Sequence, residues 1–189
     1  MSRYVPPVIA LYLSAIVAAN LITTAGVRAG HPEVSVYTAF ALVAFDLVAR
    51  DLLHDWFTGR RRLAVLGALI AAGSALSYIA NPDSAEIAKW SALAFAAAMI
   101  ADGLVYHAAR RLPWIERSNA SNIAGAIVDS AVFCAALGFP FYIAFGQTTA
   151  KIAGGLVFAL LLERVVPVGV YWHSREHVDV EPLARDRRR

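Results

Sequence analysis

Along this chain the apolar residues fall into long blocks divided by short polar breaks. The blocks predict six helices, over 5–27, 34–56, 63–80, 86–109, 119–138 and 147–168, most of them close to the roughly 20 residues that a helix needs to cross the hydrocarbon core of a bilayer. No repeat or low-complexity stretch interrupts them, and no block is left over for a soluble domain. The expected fold is therefore all-α, one bundle over 1–173 followed by a polar, basic tail over 174–189. Only Arg3 precedes the first block, and the block lacks the small-residue cleavage site of a signal peptide, so it is read as the first span.

Composition turns this pattern into a class. With 59% hydrophobic and 16% charged residues and a mean hydropathy of +0.57, the 189-residue chain is more apolar than a soluble domain, in which about a quarter of the residues are charged. A polytopic protein of the cytoplasmic (inner) membrane is expected. Basic residues in short loops stay on the cytoplasmic side. With six spans, Arg3, Arg60–Arg62, Arg110, Arg111, Arg117 and Arg187–Arg189 all fall on one face, and Arg28, Lys89 and Lys151 on the other. Both termini are thus expected in the cytoplasm. This topology accounts for the net charge of +3 without nucleic-acid binding. Cys134 is the lone cysteine and allows no internal disulfide.

Ionisable residues inside the blocks carry the functional information, because a charge near the bilayer centre costs at least ~2.5–3.5 kcal/mol and faces the bundle interior or a polar cavity. Asp46, Arg50, Asp51 and Asp55 lie in the second block, Asp102 in the fourth and Asp129 in the fifth. Counted at ~1.5 Å per residue, Asp46 and Asp129 come out near the midplane and Asp51 and Asp102 in the cytoplasmic half. Asp46 and Arg50, one turn apart, can neutralise each other locally. Asp102 and Asp129 have no such neighbour and need another helix, a ligand or a proton. Asn20 reads either as helix–helix glue or as a ligand contact. Gly154, Gly155, Ala150 and the third block, ALIAAGSALSYIA, read as close-packing surfaces. Trp56, Trp90 and Trp114 near span ends read as interface anchors. The histidines form no metal-ligand pattern, so neither a metal nor a cofactor is expected.

Enzymatic readings fail on spacing. ADGLVYHAAR followed by GAIVD resembles the metal site of membrane-embedded CDP-alcohol phosphotransferases, but Met99 and Phe133 stand where that site needs aspartates. Two missing carboxylates remove much of the charge that would hold two cations. No hydrolase or metalloprotease motif is present, and the chain is expected not to be an enzyme.

Four pieces taken together carry a different likeness. ALAFAAAMIADGLVYHAARR, SNIAGAIVDSAVF, Asn20-Leu21-Ile22 and Arg50-Asp51-x-x-x-Asp55 resemble the VUT family of queuosine precursor transporters, over most of the chain from about Ala19 to Gly154. That resemblance implies a six-helix carrier importing 7-deazaguanine derivatives such as preQ0 and preQ1 for tRNA modification. It implies a substrate site among Asn20, Asp51, Asp102, Tyr106, Asn119, Asn122, Asp129 and Ser130. A guanine-like edge offers adjacent N–H donors, and a carboxylate can accept both. On this reading Asp129 or Asp102 takes those donors, asparagines contact the rest of the ring, and Tyr106 or Phe133 stacks on it. Asp129→Asn would then weaken binding and leave stability little changed.

No ATP-binding loop is present, so ion coupling, downhill entry with trapping and a separate energising partner all stay open. So does a homodimer. Ala10, Ser14 and Ala18 form a small-residue stripe on the first helix that suits docking or ordinary packing. A substrate-binding subunit of a larger transporter and a purely structural membrane protein are the alternatives. The structural alternative predicts that the buried aspartates pair internally.

Overall fold

The computed structural model describes residues 5–46, 59–109, 111–112 and 114–165. Asp51, Arg50, Asp55, Trp56 and the 174–189 tail lie outside them. The described residues are all-helical, with six helices. These are α1 (Val5–Arg28), α2 (Val34–Thr38, helical onward to 46), α3 (Gly59–Ala80), α4 (Ala85–Ala108), α5 (Trp114–Ala136) and α6 (Phe141–Val165). Two stretches, Pro6–Arg28 and Pro82–Ala108, are long and apolar enough to cross a membrane. The chain divides into two units, Met1–Gly155 and Leu156–Arg189. Of the second, residues 156–165 are described and are helical.

Local chemistry sets the helix ends. α1 and α5 both stop at a glycine with positive φ, Gly30 at 82° and Gly138 at 66°. In each case the amide after the glycine reaches back five residues, His31 to the Gly26 carbonyl and Phe139 to the Cys134 carbonyl, both at 2.8 Å. This wrap satisfies the last carbonyls and reverses the chain. Between α3 and α4 the Asn81 side chain accepts from the Asp83 amide at 3.0 Å, starting a short 3₁₀ turn over Pro82–Ser84. Arg28 and Asp83 form an ion pair that joins this turn to the end of α1. In the α1–α2 loop, a backbone hydrogen bond and then His31 hold the Glu33 carboxyl below its usual value.

α6 begins at Phe141, directly after Pro140, six residues earlier than the pattern predicts. Gln147, Thr148 and Thr149, expected in the first turn of that helix, are instead in its second and third turns. Lys151 moves with them from a predicted end position to the helix interior, a correction with consequences for the site.

The first unit is built inside out compared with a soluble protein. Its large apolar side chains point outward, among them Phe141 (84% exposed), Ile79, Ile100, Leu104 and Phe145. Its interior is alanine, serine and threonine with few large residues. Two apolar clusters mark the two ends of the helices. One joins Ile87, Phe133, Cys134 and Ile143, near the α1–α2 and α5–α6 turns. The other joins Tyr12 and Leu66 with Ile16, Phe45 and Met99, toward the start of α1. Small residues let backbones come close. A Cβ on Gly73 would lie 2.7 Å from the Ile16 side chain, and one on Gly154 would lie 2.5 Å from the Phe40 carbonyl oxygen and 2.6 Å from Ala44 Cβ. Phe40 belongs to a π-helical segment, Ala39–Val43, that widens the second helix where Gly154 presses on it.

The two adjacent glycines of α6 should behave differently. Gly155 has open space around a Cβ, so Gly155→Ala should leave stability unchanged or raise it by up to ~1 kcal/mol. Gly154→Ala forces a backbone shift and should lower stability by about 1–3 kcal/mol. Thermal melting of both variants in detergent measures the contrast, and equal melting temperatures would refute the close approach.

Candidate functional site

Between the two apolar clusters lies a cavity of about 70 Å³. All six helices line it. α1 presents Ala15, Ala19, Asn20 and Thr23, and the second helix presents Ser35, Thr38 and Asp46 with the π-helical turn between them. Ser74 comes from α3, Ser91 and Phe95 from α4, Asp129 and Phe133 from α5, and Gln147 and Lys151 from α6.

At its centre is an ion pair. Lys151 Nζ donates to Asp129 Oδ2 at 2.5 Å and to Ser130 Oγ at 2.8 Å, and reaches Gln147 Oε1 at 3.5 Å. The lysine is 3% exposed and the aspartate 16%. The meeting follows from the α5–α6 hairpin. Asp129 lies nine residues before Gly138 and Lys151 eleven after Pro140, so two antiparallel helices rising ~1.5 Å per residue bring them to the same depth, ~15 Å from the turn.

The network continues outward from the lysine. Gln147 Nε2 donates to Ser35 Oγ at 2.9 Å, and Ser35 in turn donates to the Pro32 carbonyl at 2.6 Å. Thr38 spends its hydroxyl hydrogen on the Ser35 carbonyl at 3.0 Å, so in its 3.1 Å contact with Thr23 the latter is the donor. Across the cavity Asn20 Nδ2 donates to Ser77 Oγ at 3.1 Å, and Ser77 donates to the Gly73 carbonyl at 2.8 Å. Asp46, 5% exposed, closes the cavity on the side of the Tyr12 cluster.

The structure therefore brings together part of the set expected from sequence. Asn20 and Asp129 face one cavity, and Ser130 is fully buried behind the ion pair. Asp102, Tyr106, Asn119 and Asn122 do not line it. Asp102 lies against Gly125, with its Oδ1 buried and lacking a hydrogen-bond partner among the described residues. Tyr106 is 36% exposed, and Asn119 and Asn122 are exposed on α5, two or more turns before Asp129. Asp51 lies outside the described residues. Lys151, Gln147, Ser35 and Thr38 are lining residues that sequence reasoning did not single out. The available signal was the hairpin punctuation: Gly138 as a helix stop and Pro140 as a helix start place the turn early and put Lys151 inside a span. Among the described residues no group of histidine, cysteine and carboxylates could hold a metal ion.

No known protein family, curated protein or solved structure matches this chain.

With Lys151 as its partner, the expectation for Asp129→Asn changes. Removing either member strands the other's charge in a low-dielectric interior, so Asp129→Asn and Lys151→Met should each cost about 3–5 kcal/mol of stability. The double variant buries two neutral groups and should recover most of that loss. Unfolding measurements on the three variants close the cycle, and additive losses would argue against the pair.

Proposed function

We propose that this chain is a six-span carrier of the cytoplasmic membrane, with both termini in the cytoplasm, that imports one small planar heterocycle of the 7-deazaguanine class. The observation that carries this reading is the cavity: apolar walls carrying a few convergent polar groups, lined by all six described helices, and set between an apolar cluster on either side. Such a layout suits alternating access, since opening either cluster alone would expose the cavity to one side.

Two physical arguments support the membrane placement. Outward-facing Phe, Leu and Ile around an interior of Ala, Ser and Thr is unfavourable in water and favourable in lipid, where close approach of small residues drives helix association. The loop charges also become more one-sided with Lys151 inside α6. On the face opposite the arginine-rich loops, Arg28 pairs with Asp83, and Lys89 pairs with Glu86 at 2.8 Å.

The cavity is small, about 70 Å³, which suits a compact ligand rather than a polymer. Polar groups at several points of the rim, with Phe95 and Phe133 beside them, suit a flat ring with donors and acceptors at its edge. A second reading draws on the ion pair itself: a carboxylate already satisfied by Lys151 is what a structural membrane protein would need, with no ligand required.

Transport separates the two. In cells unable to make queuosine precursors, expression of the chain should restore queuosine in tRNA when a 7-deazaguanine is supplied at low concentration. Good membrane expression without rescue would sink the substrate assignment. Uptake into vesicles holding only this chain would identify a self-sufficient carrier, and rescue in cells without vesicle uptake would point to an energising partner. Topology has its own test. On a Cys134→Ser background, cysteines placed at Arg61 or Arg111 should be labelled from the cytoplasmic side only, and a cysteine at Asp83 from the outside only. Reversed labelling would overturn the orientation.

A further inference from the structure

We propose that the Lys151–Asp129 pair reads a lactam edge, with Lys151 donating to the ring carbonyl while Asp129 accepts from the adjacent ring N–H and a neighbouring amino group. This inference rests on the ligand reading above and assigns each ligand atom its partner.

The donor inventory points to it. A lysine ammonium has three N–H donors. Two of them make good bonds, to Asp129 Oδ2 at 2.5 Å and Ser130 Oγ at 2.8 Å. The third reaches Gln147 Oε1 at 3.5 Å, the limit of a hydrogen bond. A ligand carbonyl can take that third donor at little loss, because Gln147 keeps its bond to Ser35. The acceptor side is similarly arranged. Lys151 engages Asp129 through Oδ2 alone, so Oδ1 lies outside the pair, and Asp129 is the more exposed member.

The pairing of charges also matters. A lone carboxylate near the middle of an apolar bundle would be stabilised only while loaded and would be stranded when empty. With Lys151 beside it the Asp129 carboxylate is charge-paired in both states, yet the pair still presents strong charge-assisted donors and acceptors side by side. A cyclic lactam carries its C=O and N–H on neighbouring ring atoms and is complementary to that arrangement. Asp129 Oδ2 and Ser130 keep the ammonium in place when a ligand enters, so the pair need not break to bind.

The test replaces one ligand atom. 7-Deazaguanine and its 6-thio counterpart share a ring and its N–H donors, but the thiocarbonyl is the weaker acceptor. Purified wild-type protein should bind the oxo ligand about tenfold more tightly than the thio ligand, the effect of weakening one charge-assisted bond. In Lys151→Met, affinity for the oxo ligand should fall and the preference for oxygen should vanish. In Thr149→Ala, an exposed position outside the cavity lining, the tenfold preference should persist. If Lys151→Met does not fold, the double variant Asp129→Asn/Lys151→Met, which also has no donor at position 151, supplies the same comparison, and loss of the oxygen preference is again expected. Equal wild-type affinities for the two ligands, or a preference that survives loss of the ammonium, would overturn the assignment of Lys151 and leave the carrier reading standing. No binding of 7-deazaguanine to well-folded wild type would overturn that reading as well.

Discussion

The ammonium of Lys151 is the constraint around which the first unit is arranged. A charged lysine that is 3% exposed needs acceptors from its surroundings, and it sits three turns into α6, where its own backbone supplies none. α5 provides Asp129 and Ser130 from adjacent positions, and α6 adds Gln147 from the preceding turn. Those bonds fix the depth at which α5 and α6 meet. Gln147 then ties the pair to Ser35, at the start of the second helix, and so to the loop carbonyl of Pro32. A single buried charge thus sets the register of three helices.

The interior that holds this network is made of small residues, and that has two opposite effects. Where glycine meets another helix the backbones nearly touch, as at Gly73 against Ile16 and Gly154 against Phe40 and Ala44. Where serine, threonine and alanine face one another at mid-height, they are too short to fill the space, and the cavity remains. The π-helical segment Ala39–Val43 belongs to both regions, bearing on Gly154 and contributing Ala39, Leu42 and Val43 to the lining. A π turn inserts one residue into the helical repeat. It thereby allows Thr38 and Asp46 to line the same cavity from either side of the turn.

Much of the fold could be read from apolar blocks alone, because block length and helix length obey the same rule of ~1.5 Å per residue. The predicted 5–27 and 86–109 stand beside Val5–Arg28 and Ala85–Ala108. The sixth helix was less legible. The predicted 147–168 leaves out the apolar FYIAFG at its front, which is helical and accepts side-chain bonds from the next turn, Thr148 and Thr149 donating to the Ala144 and Phe145 carbonyls at 2.9 and 3.0 Å. The start of that helix is set by Pro140 rather than by the polar residues that follow. Asn20 and Asp129 were recognisable as buried polar groups in need of partners, while the identity of the partners was not. Ser77 is 57 residues from Asn20 and Lys151 is 22 from Asp129. Pairings across helices depend on rotation about each helix axis, which a pattern of apolar blocks leaves undetermined.

The ion pair changes what a buried aspartate means in such a chain. Taken alone, Asp129 asks for a ligand to complete it, and an empty site would then carry the full cost of an isolated charge near the bilayer centre, at least ~2.5–3.5 kcal/mol. A carrier that returns empty would meet that cost in every cycle. Lys151 offsets it by supplying the opposite charge from the neighbouring helix, 2.5 Å from Asp129 Oδ2. On the proposed reading, binding energy then comes from the difference between a long 3.5 Å contact to Gln147 and a well-formed bond to the ligand, rather than from rescue of a stranded charge. That difference is modest. On that reading a modest difference favours release, whereas a site that also gained the ~2.5–3.5 kcal/mol of an otherwise stranded charge would hold its ligand roughly a hundredfold more tightly.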